Sequence, residues 1–364
     1  MLRIFGWSIG VTIVSLLAAY LYGGWSALAL CLILGILEVS LSFDNAVVNA
    51  TVLNRMSEFW QRIFLTVGVV IAVFGMRLVF PLLVVGISAH MSPGDALRLA
   101  MEKGDPHEPG TYGYLLDQAH PQIAAFGGMF LLMLFLDFVL QEREITWLTW
   151  LERPLARIGK LDQVSVVVAG LSLVLVAELL AEDPQVVLVA GILGMVTYIA
   201  VNGLGRLFEG AVEGSADGAE EADESGATGP TSAAKATGKA AFFLFLYLEV
   251  LDASFSFDGV VGAFAITADP IIIALGLGFI GAMFVRSITV FLVRKGTLSE
   301  YVYLEHGAHW AIGALAVILL VSIGVHVNEV VTGLVGVAFI GAAFATSVVR
   351  NRRSPEVEHT VHVG

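Results

Sequence analysis

Charge is what this chain of 364 residues has least of: Asp, Glu, Lys and Arg make up 14% of it, against 57% hydrophobic residues and a mean hydropathy of +0.85. A soluble domain carries about a quarter charged residues, so the shortage argues against a soluble enzyme. Cysteine is scarcer still. The single Cys31 sits in an apolar run, which excludes a disulfide framework and a thiolate metal site. No Walker loop, nucleophile elbow or dinucleotide fingerprint occurs, so no enzyme is expected, and ATP-driven transport would need a separate subunit. With a formal net charge of −13, no nucleic-acid partner is expected either.

What is present is a series of long apolar stretches. A run of about 18 apolar residues suffices to cross a bilayer, and the hydropathy pattern predicts ten such helices: 5–23, 25–50, 62–88, 121–141, 164–181, 185–208, 241–264, 270–294, 308–326 and 329–349. The first is read as a span rather than a leader, because it lacks a small-x-small cleavage site and another apolar run follows it directly. The expected fold class is therefore all-α, a polytopic protein in the lipid bilayer.

Ten spans put both termini on one side. Of the 19 Lys and Arg, 15 then lie on that side, Arg98 and Lys103 lie opposite, and Arg77 and Arg286 fall within spans. By the positive-inside rule both termini are cytoplasmic and the host is the cell (inner or plasma) membrane. Three connections stand out. Residues 89–120 form the main outer loop, where Ser92-Pro93-Gly94-Asp95 predicts a capped surface helix reaching about Lys103. Residues 142–162 suit a helix lying on the inner surface, and the acidic, Gly- and Ala-rich stretch 209–239 reads as a disordered linker.

The second span contains Leu37-Glu38-Val39-Ser40-Leu41-Ser42-Phe43-Asp44-Asn45-Ala46-Val47, and the seventh contains Leu251-Asp252-Ala253-Ser254-Phe255-Ser256-Phe257-Asp258-Gly259-Val260-Val261. The two align at an offset of 214 residues, and echoes follow in the same order: Arg77 with Arg286, His120 with His309, and Asp137 with His326. This indicates a duplication, residues 1–181 with 185–350, followed by a tail, 351–364. Five spans per half is odd, so the halves run in opposite directions, an arrangement that places special helices together near the midplane.

A carboxylate at the centre of a spanning helix costs about 2.5–3.5 kcal/mol on insertion scales. Two helices here carry five: Glu38, Asp44, Glu249, Asp252 and Asp258. They require protons, water, arginine or a bound cation. On an ideal helix Glu38, Ser42 and Asn45 share a face, as do Glu249, Asp252 and Ser256, while Asp44 lies about 120° round from Glu38. An unwound turn at Ser42-Phe43-Asp44 and at Ser256-Phe257-Asp258-Gly259 would gather the acids and free backbone carbonyls. The donors are hard oxygens suited to Mn²⁺, Mg²⁺ or Ca²⁺. Arg77 and Arg286 are candidate counter-charges. Glu305, His306 and His309 are a candidate vestibule cluster, with a plain interface cluster as the alternative. Asp137, Glu178 and His326 lie near span ends and read as interfacial.

The motif from Leu37 to Ala46, with its partner around Asp258, resembles the signature of the TerC family of integral membrane proteins, within the LysE-type exporter superfamily. The long form with two motifs is similar to a TerC-like branch found in bacteria. The resemblance covers most of residues 25–325 and implies efflux of divalent metal, chiefly manganese, with a link to tellurium resistance. It carries Glu38, Asp44, Asn45, Asp252 and Asp258 over as site residues. Two departures make the site asymmetric: Gly259 stands where the first motif has Asn45, and Glu249 has only Gly35 opposite it. The expectation is export of a divalent cation, Mn²⁺ first, by exchange for protons, with no permanently bound cofactor. The alternatives are a LysE-type exporter of amino acids or small solutes, and a scaffold that recruits cytosolic stress-resistance proteins through 209–239.

Overall fold

A computed structural model describes residues 2–41, 43–102, 104, 108–161, 163–217, 236–267, 269–295, 301–327 and 329–353. Ser42, most of the expected linker and the end of the tail lie outside the described residues. The fold is all-α. In chain order the helices are α1 (Leu2–Leu41), α2 (Phe43–Asn54), α3 (Glu58–Ile63), α4 (Phe80–Ser88), α5 (Pro93–Met101), α6 (Tyr112–Val139), α7 (Thr149–Ile158) and α8 (Val164–Leu180). They continue with α9 (Pro184–Asp217), α10 (Gly238–Ile266), α11 (Pro270–Ile273), α12 (Ala282–Lys295), α13 (Leu304–Val321) and α14 (Glu329–Arg353). Wider π-helical turns, π1 (Phe64–Gly68), π2 (Ile71–Val79) and π3 (Ala274–Gly281), sit inside the third and eighth spans.

All ten expected spans fall on helix, and their directions test the crossing pattern. Long as it is, α1 is two spans, because Gly23 and Gly24 leave helical geometry. Gly24 has φ of +67°, a conformation open to glycine and strained for other residues. The chain reverses there: Tyr22 reaches Asp269, Ser8 reaches Met283 and Ser287, yet Gly35 lies against Ile280. The second and eighth spans therefore run parallel. So do the third and seventh, where Trp60 meets Phe242, Phe64 meets Phe245 and Gly68 meets Glu249.

Helices related by the sequence repeat run in opposite directions. Between the second and seventh, Asn45 meets Asp252 while Glu38 meets Gly259. Between the third and eighth, Leu65 meets Arg286 while Phe74 meets Phe279. Between the fourth and ninth, Phe138 meets His306 while Gly128 meets Leu320. Each relation is the one that ten alternating crossings and an inverted repeat demand.

Among the described residues, six segments are long and apolar enough to cross a membrane: Ile4–Val39, Tyr112–Val139, Pro184–Gly203, Pro270–Val293, Leu304–Val321 and Val331–Arg352. Val164–Leu180 is a shorter apolar helix. The path through α3, π1, π2 and α4 is divided into short pieces, and α10 carries three acids. Large apolar side chains such as Leu21, Ile87, Leu171 and Leu179 point outward from these helices. Such a surface suits lipid rather than water.

The loops depart from expectation in places. Helix α5 starts as read, with the Ser92 hydroxyl accepting from the Asp95 N–H at 3.2 Å, and ends at Met101. The surface helix expected over 142–162 is helical only as α7, the polar stretch before Thr149 being a series of bends. The linker expected from 209 begins later, because α9 continues to Asp217, where Glu209, Ala211 and Glu213 are good helix formers. Its far end is anchored: the Ala236 N–H donates to the Arg55 carbonyl at 2.8 Å, and the Ser57 N–H to the Ala236 carbonyl at 3.0 Å.

Candidate functional site

The middle of the molecule is where the two motifs meet. Asp252 stands at the midpoint of the 29-residue α10, and its Oδ1 accepts from Asn45 Nδ2, in α2, at 2.7 Å. Glu38, near the end of α1, accepts from Arg77 Nη2 at 2.5 Å. The other guanidinium nitrogen, Nη1, lies 3.9 Å from Asp252 Oδ2. Arg77 thus bridges an acid of each half, and all four residues are buried. A buried charge survives only when paired and hydrogen-bonded, so Arg77 is a counter-charge. Arg286 Nε donates to the Leu65 carbonyl at 2.7 Å, and Arg286 lines the neighbouring cavity.

Glycines make room for these acids. A methyl at Gly259 would stand 2.9 Å from Glu38 Oε2, a methyl at Gly281 would strike the Glu38 side chain, and one at Gly68 would stand 2.7 Å from Glu249 Oε1. This corrects the expected unwinding at the second motif. Helix α10 is continuous through Ser256, Phe257, Asp258 and Gly259, and Gly259 serves close approach of a carboxylate, not a break in the helix. At the first motif α1 stops at Leu41 and α2 begins at Phe43, with Ser42 between them outside the described residues. The backbone of Asp44 is in the first turn of α2 and that of Asp258 in α10. Their side chains and that of Ser256 lie outside the described part.

Glu249 is buried one turn before Asp252, and neither of its carboxylate oxygens has a hydrogen-bond partner among the described residues. It lines a cavity of about 30 Å³ together with Asn49, Gly68, Arg77, Asp252, Arg286 and Thr289. Asn49 went unnoticed in the sequence, although its spacing of four from Asn45 puts both on one helix face. Among the described residues no group of three or more His, Cys, Asp and Glu is arranged to hold a metal. Formally, Glu38, Asp252 and Glu249 set against Arg77 and Arg286 leave one negative charge.

The candidate vestibule cluster separates. His306 Nδ1 lies 3.1 Å from Glu152 Oε1, which also accepts from Trp310 Nε1 at 3.0 Å, while Glu152 Oε2 accepts from the Trp147 N–H at 3.0 Å. His309 donates Nδ1 to the Glu305 carbonyl at 2.8 Å and stacks on Phe138, and the Glu305 carboxylate pairs with Arg143 at 3.5 Å. This set pins α7 to α13. Glu152 was missed because two of its three donors, His306 and Trp310, lie more than 150 residues away. Asp137 accepts from Tyr198 Oη at 2.8 Å and lines a cavity of about 160 Å³ with Arg55, Gln141, Asn202 and His309. His326 and Glu178 are exposed.

Helices of this length, apolar outside and closed around a charged cluster, define an all-α polytopic membrane protein. Residues 43–354 match the family described as "Protein of unknown function (DUF475)", and the chain belongs to that family. No curated protein and no solved structure matches it.

Proposed function

We propose that the protein is a membrane transporter that exports a divalent cation, Mn²⁺ first, from the cytosol through the buried carboxylates shared by its two halves. The observation that carries this reading is the buried cluster of Glu38, Asp252 and Glu249 around Arg77, in which the acids outnumber the arginines and the Glu249 oxygens are left without a hydrogen-bond partner among the described residues. Inverted repeats meeting at a midplane site are how many transporters are built, and acids placed there are functional far more often than structural. In this arrangement Arg77 holds Glu38 and Asp252, and an arriving cation would compete with the guanidinium for them. Hollows at the arginine-rich end, one lined by Glu58, Gln61 and Arg62 and another by Arg55 and Asn202, support access from the cytosolic side in the plasma membrane. Asp44 and Asp258 belong to the proposed ligand set through the motif, as do Ser42, Asn45 and Ser256.

The resemblance to TerC proteins supports manganese, and oxygen donors support a hard ion generally. Clustered carboxylates can trade a cation for protons, which makes exchange the proposed coupling. An amino-acid substrate is less well supported, since Arg77 is engaged by two acids and would have to leave both to hold a substrate carboxylate. The test is Mn²⁺ flux in proteoliposomes for wild type and Asp252→Asn. Flux in wild type that falls to background in the variant is expected, and equal flux in both would overturn the assignment.

A further inference from the structure

Within the cluster, two acids are already served by Arg77 and Asn45; one is not. Glu249 is only 6% exposed and Asn49 only 2%, and both Glu249 oxygens together with Asn49 Oδ1 accept no hydrogen bond among the described residues. All three atoms belong to side chains lining one cavity. We propose that Glu249 and Asn49 form a single-ion subsite for a hard divalent cation, beside the pair held by Arg77 and distinct from it. The inference deepens the transport reading and rests on it for the ion's biological role.

The chemistry of the lining points to such an occupant. Leaving a buried acceptor unsatisfied is costly, and more so when it is charged. Arg77 and Arg286 line the same space but are engaged by Glu38 and Asp252 and by the Leu65 carbonyl, so the three open acceptor atoms call for a further species that is all donor or all positive. The cavity holds about 30 Å³, close to the volume of one water molecule. That is room for one ion with little of its hydration. Mg²⁺ gives up its waters reluctantly, whereas Ca²⁺ accepts carboxylate and amide oxygens in irregular sets, so the space favours Mn²⁺ or Ca²⁺ over Mg²⁺. Thr289 lines the same space, and its hydroxyl already donates to the Val285 carbonyl, which leaves its lone pairs free to face an ion. Gly68 lets the Glu249 carboxylate lie against the third span, where a methyl would meet Oε1.

There is also a way in. Leu65 and Arg286 line both this cavity and the larger one, about 420 Å³, that reaches Glu58, Gln61 and Arg62. The hydrogen bond from Arg286 Nε to the Leu65 carbonyl spans that partition.

The test is Mn²⁺ binding to the purified full-length protein in detergent micelles, read from the electron paramagnetic resonance signal of free Mn²⁺. Glu249→Gln should weaken binding about tenfold or more, and Asn49→Ala about threefold to tenfold, the losses expected for a charged and a neutral ligand. Asn49→Asp, nearly isosteric, should tighten binding, and it keeps the test decisive if the alanine variant does not fold. Glu38→Gln should change Mn²⁺ affinity less than Glu249→Gln. Wild-type protein that binds no Mn²⁺ at millimolar concentration, or Asn49→Asp and Glu249→Gln proteins that bind like wild type, would overturn the subsite. Binding that depends on both residues without flux in liposomes keeps the subsite and removes the transport reading. Flux accompanied by binding indifferent to Asn49 does the reverse.

Discussion

Glu152 and Glu249 are exposed by 5% and 6%, so the chain has removed each of them from solvent to the same degree. Around Glu152 the fold supplies His306, Trp310 and the Trp147 N–H, three donors on two oxygens. Around Glu249 it supplies a glycine, a neighbouring acid and a small hole lined also by Arg77 and Arg286, but no hydrogen bond to either carboxylate oxygen among the described residues. Complete satisfaction makes a carboxylate a rivet, because any change leaves buried donors without acceptors. Incomplete satisfaction suits it to be a receptor, since its buried oxygens gain a partner only when something is added. Burial alone does not separate structural from functional acids; the hydrogen-bond inventory does.

That comparison is open to a direct challenge. Glu152→Ala should destabilise the protein by about 3–5 kcal/mol, as removal of one partner of a buried pair does, with a matching fall in the midpoint of thermal unfolding in micelles. Glu249→Gln, measured without divalent ions, should unfold at or above the wild-type midpoint, because it replaces a buried carboxyl whose oxygens accept no hydrogen bond among the described residues with a neutral amide. If the two variants exchange these behaviours, the rivet and the receptor have been assigned the wrong way round.

A smaller effect is expected where the acids are housed. Gly259→Ala places a methyl 2.9 Å from Glu38 Oε2, and overpacking of this kind costs about 1–3 kcal/mol. Gly170→Ala, with open space at the same position in α8, should instead gain about 0.5–1 kcal/mol from helix propensity. Equal midpoints for the two variants would show that Gly259 is not a seat for Glu38.

Spans, their directions and the meeting of the motifs were legible in the chain because each rests on local pattern. Hydropathy placed ten helices, and an offset of 214 residues between Asp44 and Asp258 implied antiparallel halves. What escaped depended on partners distant in sequence. Nothing near Glu152 announces His306 or Trp310, and Asn49 is an ordinary helix residue until Glu249 is set across a cavity from it. Gly259 was legible as special but for the wrong reason. A glycine within a span signals either a break or a close approach, and only the packed neighbour distinguishes them. Asn45 and Glu38 were legible because an inverted duplication lays its two motif helices across each other, so that Asn45 meets Asp252 and Glu38 meets Gly259.

The smallest effect concerns acid, and it isolates the rivet. Burial alone would push the Glu152 carboxyl upward, but the hydrogen bonds from His306 and Trp310, with the nearby His306 charge, outweigh it and hold the group below the usual carboxylate range. A group depressed in the folded state contributes stability that is complete above its unfolded value, about 4.3 for glutamate, and that is lost as pH falls through the folded value. The unfolding midpoint should therefore hold steady from neutral pH down to about 5 and decline below about 4 as this stabilisation disappears. Glu152→Gln should begin from a lower midpoint and show a shallower acid decline, since it has no carboxylate to protonate. Glu249→Gln should retain the full decline of the wild type. An acid limb unchanged in Glu152→Gln would mean that the three donors around Glu152 do not stabilise its ionised form, and the contrast with Glu249 would then reduce to packing.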